Sequence, residues 1–293
     1  EKIKKEKKYN SNVLIPILGD CSDKKFLINK FKKLKIDDLF HAAAYKHVNF
    51  GEENPYSMIK NNIFGTNTIV EFAIYKKIKN FIFISSDKAV NPKSILGFSK
   101  KMGEELIKNT HFKIKNDFKT VFTIVRFGNV IGSSGSVIPI FLNQISEMSA
   151  LTVTSKKVTR YFMSISEAVQ LVINASYFNR KGVKIFALDM GKQLNIYEMA
   201  KRIIRLSGLS IKNKKDSKGD IKIKIIGLKK GEKISEEVTL GKNLVKTSHP
   251  QIMICNENLE NKSFDKKMKN IKEILDRPNI DNRTLKNVLM KNL

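Results

Sequence analysis

The chain has 293 residues, 41% hydrophobic and 28% charged, which is enough apolar material to bury a sizeable core and to exclude global disorder. Lys and Arg number 55 against 28 Asp and Glu, a net charge of +27, but the excess is almost all lysine of the kind an AT-rich genome supplies; without the arginine forks that nucleic-acid readers use, no nucleic-acid partner is expected. No run nears the ~18 apolar residues of a membrane helix, no signal-peptide pattern opens the sequence, and Cys21 and Cys255 lie too far apart in sequence for a disulfide scaffold or a structural zinc site, so a cytoplasmic protein without metal is expected.

In chain order, Glu1–Lys8 is a charge run that reads as a solvated terminus. Val13–Leu18 reads as a buried strand ending at Gly19-Asp20, with a helical stretch over Lys24–Leu34 behind it. Asp38–Ala43 is a second strand, Tyr56–Lys77 a long helical stretch and Phe81–Ser85 (FIFIS) a third strand. Gly97–Lys108 has helical periodicity and Phe122–Phe127 is a fourth strand, with later ones at Ile185–Leu188 and Ile221–Ile226. Asn195 is placed to cap a helix with Glu198 three residues on; Ile196, Met199, Ala200, Ile203 and Ile204 share one face, and Gly208 stops it. Lys212–Lys222 is polar and lysine-rich and reads as an exposed loop.

Strands that are continuously apolar and separated by helices belong to a parallel sheet covered on both faces. The predicted class is therefore α/β, a Rossmann-like doubly wound sheet with a small C-terminal substrate lobe. The Gly/Ser stretch Gly132–Ser136 sets a boundary near Asn129. The expected organisation is a partial dinucleotide-binding domain over 9–128, a mixed substrate lobe with late sheet elements over 129–240, and a helical or irregular extension over 241–293.

In such a sheet ligands bind beyond the carboxyl ends of the strands. Gly19-Asp20, His41-Ala42-Ala43-Ala44, Ser85-Ser86-Asp87-Lys88 and Gly128-Asn129 follow four successive strands. Any one of these would pass as an ordinary turn; four together point to a binding edge. Ser86-Asp87-Lys88 joins a hydroxyl, a carboxyl and an amine on one turn, with Lys100 twelve residues beyond Lys88, and an acid beside a base suits proton removal and delivery on one substrate. Taken alone, the same three residues would also make a surface turn with a local ion pair.

The run ISSDKAVNPKSILGFSKKMGEEL (84–106) resembles the extended short-chain dehydrogenase/reductases, and among them the polysaccharide-biosynthesis proteins that act as UDP-N-acetylhexosamine 4,6-dehydratases. The resemblance continues through HAAAYKHV (41–48), VRFGNVIGSSGSVIPIF (125–141), VTRYFMSISEAVQLV (158–172) and GLKKGEKISEE (227–237), from about Gly19 to Glu237. It implies NAD as cofactor and a UDP-N-acetylhexosamine as substrate, with self-association in many relatives. Asp20 would bind the adenine side of NAD, Ala42, Ala43 and Ala44 would pass along its ribose and pyrophosphate, and Lys100 would hold the nicotinamide ribose. Ser86, Asp87 and Lys88 match the catalytic group, and Asn62 a helix asparagine that sets the site's geometry. His47 falls in the substrate-side loop. Asn129, Arg160 and Lys229 would face the sugar diphosphate, and Glu232 the uridine ribose.

The implied reaction oxidises C4 of the hexose, removes the C5 proton as the C6 hydroxyl leaves, and returns hydride to C6. Lys88 is the expected base at C5 and Asp87 the expected acid at O6, which requires their two side chains to diverge, because an ion pair would hold each in the wrong protonation state. Leu96 stands where most short-chain dehydrogenases carry a tyrosine base, and Lys229-Lys230 replaces the family's Arg-Pro. No G-x-G-x-x-G turn occurs in the sequence. The expectation is a truncated or split product that lacks its first βαβ unit and the N-terminal membrane anchor of many relatives, with little turnover and with Val13–Leu18 deprived of its neighbouring strand. A nucleotide-sugar 4-epimerase and a non-catalytic remnant remain open alternatives.

Overall fold

The computed structural model describes residues 14–114, 119–212, 218–239, 244–257, 263–278 and 280–291. The first part of the fold runs α1 (Lys24–Lys30), β1 (Asp38–His41), α2 (Val48–Glu53), α3 (Pro55–Ile59), α4 (Thr66–Tyr75), β2 (Asn80–Ile84), α5 (Ile95–Lys113) and β3 (Val121–Arg126). Then come β4 (Asn129–Val130), α6 (Val137–Ser146), β5 (Leu151–Val153), β6 (Thr159–Arg160), β7 (Phe162–Met163), α7 (Ile165–Phe178) and β8 (Val183–Leu188). The chain closes with β9 (Leu194–Asn195), α8 (Ile196–Leu206), β10 (Ile211–Lys212), β11 (Ile221–Ile225), β12 (Leu244–Lys246), β13 (Ile252–Cys255), α9 (Phe264–Leu275) and α10 (Asn282–Met290).

The main sheet has the order β1-β2-β3-β8-β13-β12. Its first four strands are parallel, and β13 and β12 are added antiparallel. Alternate residues of each strand enter opposite cores. Phe81, Phe83, Phe122 and Ile124 pack with α3, α4, α5, α9 and α10 on one face, while Ile82, Val125 and Phe186 pack with Leu171 and Val172 of α7 on the other. This is the expected α/β arrangement. A second, three-stranded sheet, β10-β11-β5, builds the smaller lobe with Phe141 of α6 and Ile196, Ala200 and Ile204 of α8. The α8 cap is as expected, since Asn195 accepts from Glu198 N at 3.0 Å. Among the described residues no helix is long and apolar enough to cross a membrane.

Four readings change. Residues 14–18 form no strand, and Leu18 is 99% exposed. A strand without a ladder partner gains nothing from its extended backbone, and Pro16 could not donate to one. One edge of the main sheet is therefore β1. The helical stretch 56–77 is broken into α3, a π-helical turn over Lys60–Gly65, and α4. The ends of the lysine-rich segment 212–222 pair as β10 and β11, and residues 213–217 lie outside the described residues, as does the charge run 1–8. In the extension after 240, the hairpin β12–β13 completes the sheet; strands of three and four residues are too short to show a period.

Candidate active site

Three of the four strand ends converge. The segments leaving β1, β2 and β3 line one cavity of about 410 Å³, which Ala42, Ser86, Lys88, Leu96, Lys100 and Asn129 help to enclose. Ala44 also lines it, whereas Ala43 does not. The π-helical turn fixes the loop after β1: Asn62 Oδ1 accepts from Tyr45 N at 2.8 Å, and its Nδ2 donates to Tyr45 O and to Ser99 Oγ on α5. Turns of this kind recur at functional positions in helices. His41, the last residue of β1, is buried against Thr66 Oγ1, and desolvation lowers its pKa to about 4, so it is a neutral packing group.

The turn after β2 is a single 3₁₀ turn, Asp87–Ala89, capped by the Ser86 hydroxyl. Helix α5 presses directly on it, because a Cβ on Gly97 would collide with the Lys88 carbonyl oxygen. Lys88 Nζ donates to Asp87 Oδ1 at 3.0 Å, and Ser86 Oγ donates to the same oxygen at 2.8 Å. Burial alone would lower the pKa of Lys88, but the charges of Asp87 and Glu236 outweigh it and the net direction is upward, with Arg160 working against them. The expected divergence of the two side chains is thus not observed, and Lys88 is held as an ammonium. Asp87 is fully buried and lines neither this cavity nor the next; its Oδ2 points at Gly128 and has no hydrogen-bond partner among the described residues. Asp87 thus faces Lys88 and Gly128 and not the cavities, away from where the acid expected at O6 would stand.

Lys100 sits one helical turn beyond Leu96 on α5 and donates to Ile84 O at 2.8 Å. Desolvation lowers its pKa to about 8, against a partial opposing pull from Glu104. No tyrosine lines either cavity.

A second cavity of about 310 Å³ shares Lys88 and Asn129 with the first and brings in Arg160, Lys229 and Glu232. Arg160 clamps the segment that carries Glu232, donating to Ile234 O, Lys233 O and Glu232 Oε1. Glu232 Oε1 also accepts from Thr154 Oγ1, and Oε2 from Lys229 N. His47 lines the first cavity beneath Gly135, whose φ of +66° and missing side chain leave room for the imidazole ring. Asp20 stands apart: it lines neither cavity, and its Oδ1 is taken by Ser22 N and Oγ, which lowers its pKa. Sequence reasoning missed Glu236, whose Oε1 lies 3.7 Å from Lys88 Nζ. The GEKISEE run contains it, but nothing in the run shows which of its three carboxylates folds back onto residue 88.

The dinucleotide fit is therefore divided. Lys100, Ser86, Ala42 and Ala44 form a recess suited to the nicotinamide ribose half, while Asp20 by itself offers no cradle for the adenine half.

Residues 1–257 match the polysaccharide biosynthesis protein family. The chain is 42% identical over 246 residues to the capsular polysaccharide biosynthesis protein CapD of Staphylococcus aureus, covering 84% of this chain and 39% of that protein. It is 35% identical over 212 residues to the UDP-glucose 4-epimerase of Rickettsia canadensis, covering 72% of this chain and 58% of that one. Among solved structures it is similar to Pen from Bacillus thuringiensis, with a TM-score of 0.76 and 34% identity over 86% of this chain and 75% of that one. The dTDP-glucose 4,6-dehydratase DesIV of Streptomyces venezuelae, solved with NAD and TYD bound, shares the fold, with a TM-score of 0.64 at 17% identity over 76% of this chain and 70% of that one. The chain spans about two-fifths of the length of the capsular relative. With the family's motifs folded around one double cavity at the strand ends, and with the match running through the whole main sheet, the chain belongs to the polysaccharide biosynthesis protein family.

Proposed function

We propose that the site is that of a nucleotide-sugar 4,6-dehydratase acting on a UDP-N-acetylhexosamine with NAD. The observation that carries this reading is that Lys88 and Lys100, twelve residues apart on a turn and a helix, face one cavity that shares walls with the cavity of Arg160, Lys229 and Glu232. Lys100, Ser86, Ala42 and Ala44 would hold the nicotinamide ribose end, and the cationic groups of the second cavity the sugar diphosphate. NAD, when bound, supplies the chemistry of accepting hydride from C4 and returning it at C6. Desolvation brings the Lys100 amine, one helical turn beyond Leu96, down to about 8, so with leucine at position 96 it is the amine that takes the C4 hydroxyl proton.

Once C4 is a carbonyl, the C5 proton is acidic. Lys88 reaches the cavity and Asp87 does not, so Lys88 handles both protons. A shift of one proton along the 3.0 Å hydrogen bond to Asp87 Oδ1 leaves a neutral amine and a carboxylic acid with no change in net charge. The bare, water-shielded Oδ2 makes that shift less costly, because protonation relieves an unsolvated carboxylate. The amine then takes the C5 proton, the C5–H electron pair forms the C5–C6 double bond, and the new ammonium gives a proton to O6, which leaves with the C6–O electron pair as water. The amine is regenerated and recovers its proton from Asp87, and C5 takes up the proton that Lys100 received from the C4 hydroxyl, which closes the proton count.

The test is incubation of the full chain with NAD and UDP-N-acetylglucosamine, read by mass spectrometry for loss of water from the sugar nucleotide. Lys88→Ala is expected to lower turnover by at least ~10²-fold, the lower end of what general acid–base catalysis supplies. Turnover unchanged in Lys88→Ala overturns the assignment, and a C4 epimer formed without loss of water replaces it with an epimerase.

A further inference from the structure

The GEKISEE segment does more than present Glu232. Arg160 and Gln193 fasten it: Arg160 donates to Lys233 O and Ile234 O, and Gln193 Nε2 donates to Glu236 O at 2.8 Å. Lys233 Nζ donates to Val90 O, just past the catalytic turn, at 2.7 Å. The segment is thereby laid against the 3₁₀ turn, and Glu236, 4% exposed, is brought between two ammonium groups. Its Oε1 is 3.7 Å from Lys88 Nζ and its Oε2 is 3.3 Å from Lys233 Nζ. The charged groups that face Lys88 are Asp87 from its own turn, Glu236 from this segment and Arg160 from β6.

This placement meets a need that the proposed chemistry creates. When Asp87 has accepted the proton of Lys88, its carboxyl is neutral and can no longer balance the lysine's charge. Lys88 then takes a second proton, from C5, and becomes an ammonium on a side chain that is only 17% exposed. An unbalanced buried charge is strongly unfavourable, so another anion has to stand within reach. Among the described residues one other carboxylate is ion-paired with Lys88, and Lys233 sets a positive charge against its far oxygen. We infer that Glu236 is a positioning residue for Lys88: it is the second anchor, holding the ammonium once Asp87 has taken up the first proton. The inference rests on the proposed dehydratase reading for its purpose, but the anchoring itself is a property of the resting protein.

A pulse of acetic anhydride at about pH 8, read residue by residue by mass spectrometry, tests it, because acylation follows the fraction of each lysine that is neutral. In the full chain Lys88 is expected to label more slowly than the exposed Lys192. Glu236→Gln is expected to speed Lys88 labelling by about tenfold or more, as removal of an opposite charge at this range does, and Glu236→Asp to restore much of the protection. Asp87→Asn gives a second reading that does not depend on the folding of the Glu236 variants: with Glu236 as anchor, Lys88 still labels more slowly than Lys192. Lys88 labelling unchanged in Glu236→Gln, or as fast as Lys192 in Asp87→Asn, overturns the inference. Full turnover in Lys88→Ala with the labelling pattern intact would instead remove the dehydratase reading and leave the anchor standing.

Discussion

Lys100 shows how the burial of a single amine makes stability depend on pH. It is 8% exposed, and burial brings its pKa from 10.5 to about 8. Between those values the unfolded chain binds a proton that the native protein does not, so stability rises with pH across that window. The penalty is absent above about 10.5, grows as pH falls toward 8, and is constant below; at neutral pH it is on the order of 3 kcal/mol. Lys100→Met is therefore expected to be more favourable, relative to wild type, at pH 7 than at pH 10, by about 2–3 kcal/mol in urea unfolding, and to lose NAD binding by calorimetry. An equal difference at both pH values would show that Lys100 is not a buried amine. The placement of Lys88 on a turn after a strand and of Lys100 on the next helix was legible from the strand-end pattern, and their membership of one site only from the family resemblance. The inward turn of Asp87 was not legible, because Gly128, against which its Oδ2 lies, comes from a segment 41 residues away and no local pattern encodes that approach. Glu236 was hidden for the same reason.

At the scale of elements, the proposed site depends on how closely α5 sits on the 3₁₀ turn that carries Lys88. Gly97 lies in the first turn of α5, and a Cβ there would meet backbone, Lys88 O and C, as well as Pro92 Cβ at 3.0 Å. Backbone cannot rotate out of the way as a long side chain can, so either α5 or the 3₁₀ turn must shift. Gly97→Ala would gain ~1 kcal/mol of helix propensity at an unconstrained site; here overpacking is expected to dominate and cost about 1–3 kcal/mol. Activity is expected to fall further than stability explains, since Lys88 moves with its carbonyl. Urea unfolding and turnover on the same preparation check this, and a variant with wild-type stability and rate would show that the contact is not tight. Four strands of the main sheet, β1, β2, β3 and β8, were readable to within about two residues because FIFIS and its neighbours are continuously apolar. The segment 14–18 was misread because an apolar run reports burial potential and not whether a partner strand is beside it. The break between α3 and α4 was also invisible, since the π turn keeps apolar residues inward and is specified by the contacts of Asn62 to the loop after β1 and to α5.

Across the whole molecule, one buried ion triad ties together parts that are distant in sequence. Arg126 at the end of β3 is fully buried and donates through Nε and Nη2 to Glu104 of α5, and through Nη1 and Nη2 to Glu257 just past β13. Glu104 Oε1 also accepts from Ser85, at the carboxyl end of β2, so the triad underlies the floor of the proposed site. Burial would raise the pKa of Glu104, but the charge and hydrogen bonds of Arg126 outweigh it and the net direction is downward, with Lys101 and Ser85 adding to the lowering. In the wild type, Glu104 therefore contributes stability above 4.5 that is lost as pH falls through its folded pKa. Arg126→Met removes the dominant compensation and leaves two carboxylates facing one another in the core, which is expected to cost about 3–5 kcal/mol at pH 7. The sign of the pH dependence should then reverse. With Arg126 gone, burial outweighs what Lys101 and Ser85 still supply, so the native variant takes up a proton before the unfolded chain does, and its stability improves as pH falls toward 5 while that of the wild type does not. The gap between the two proteins in urea unfolding is thus expected to narrow from pH 7 to pH 5. A gap that stays constant would mean that Lys101, 4.0 Å from Glu104 and 3.9 Å from Glu257, moves in to hold both carboxylates, and that the sheet, the helix and the C-terminal hairpin are joined by packing and not by this arginine.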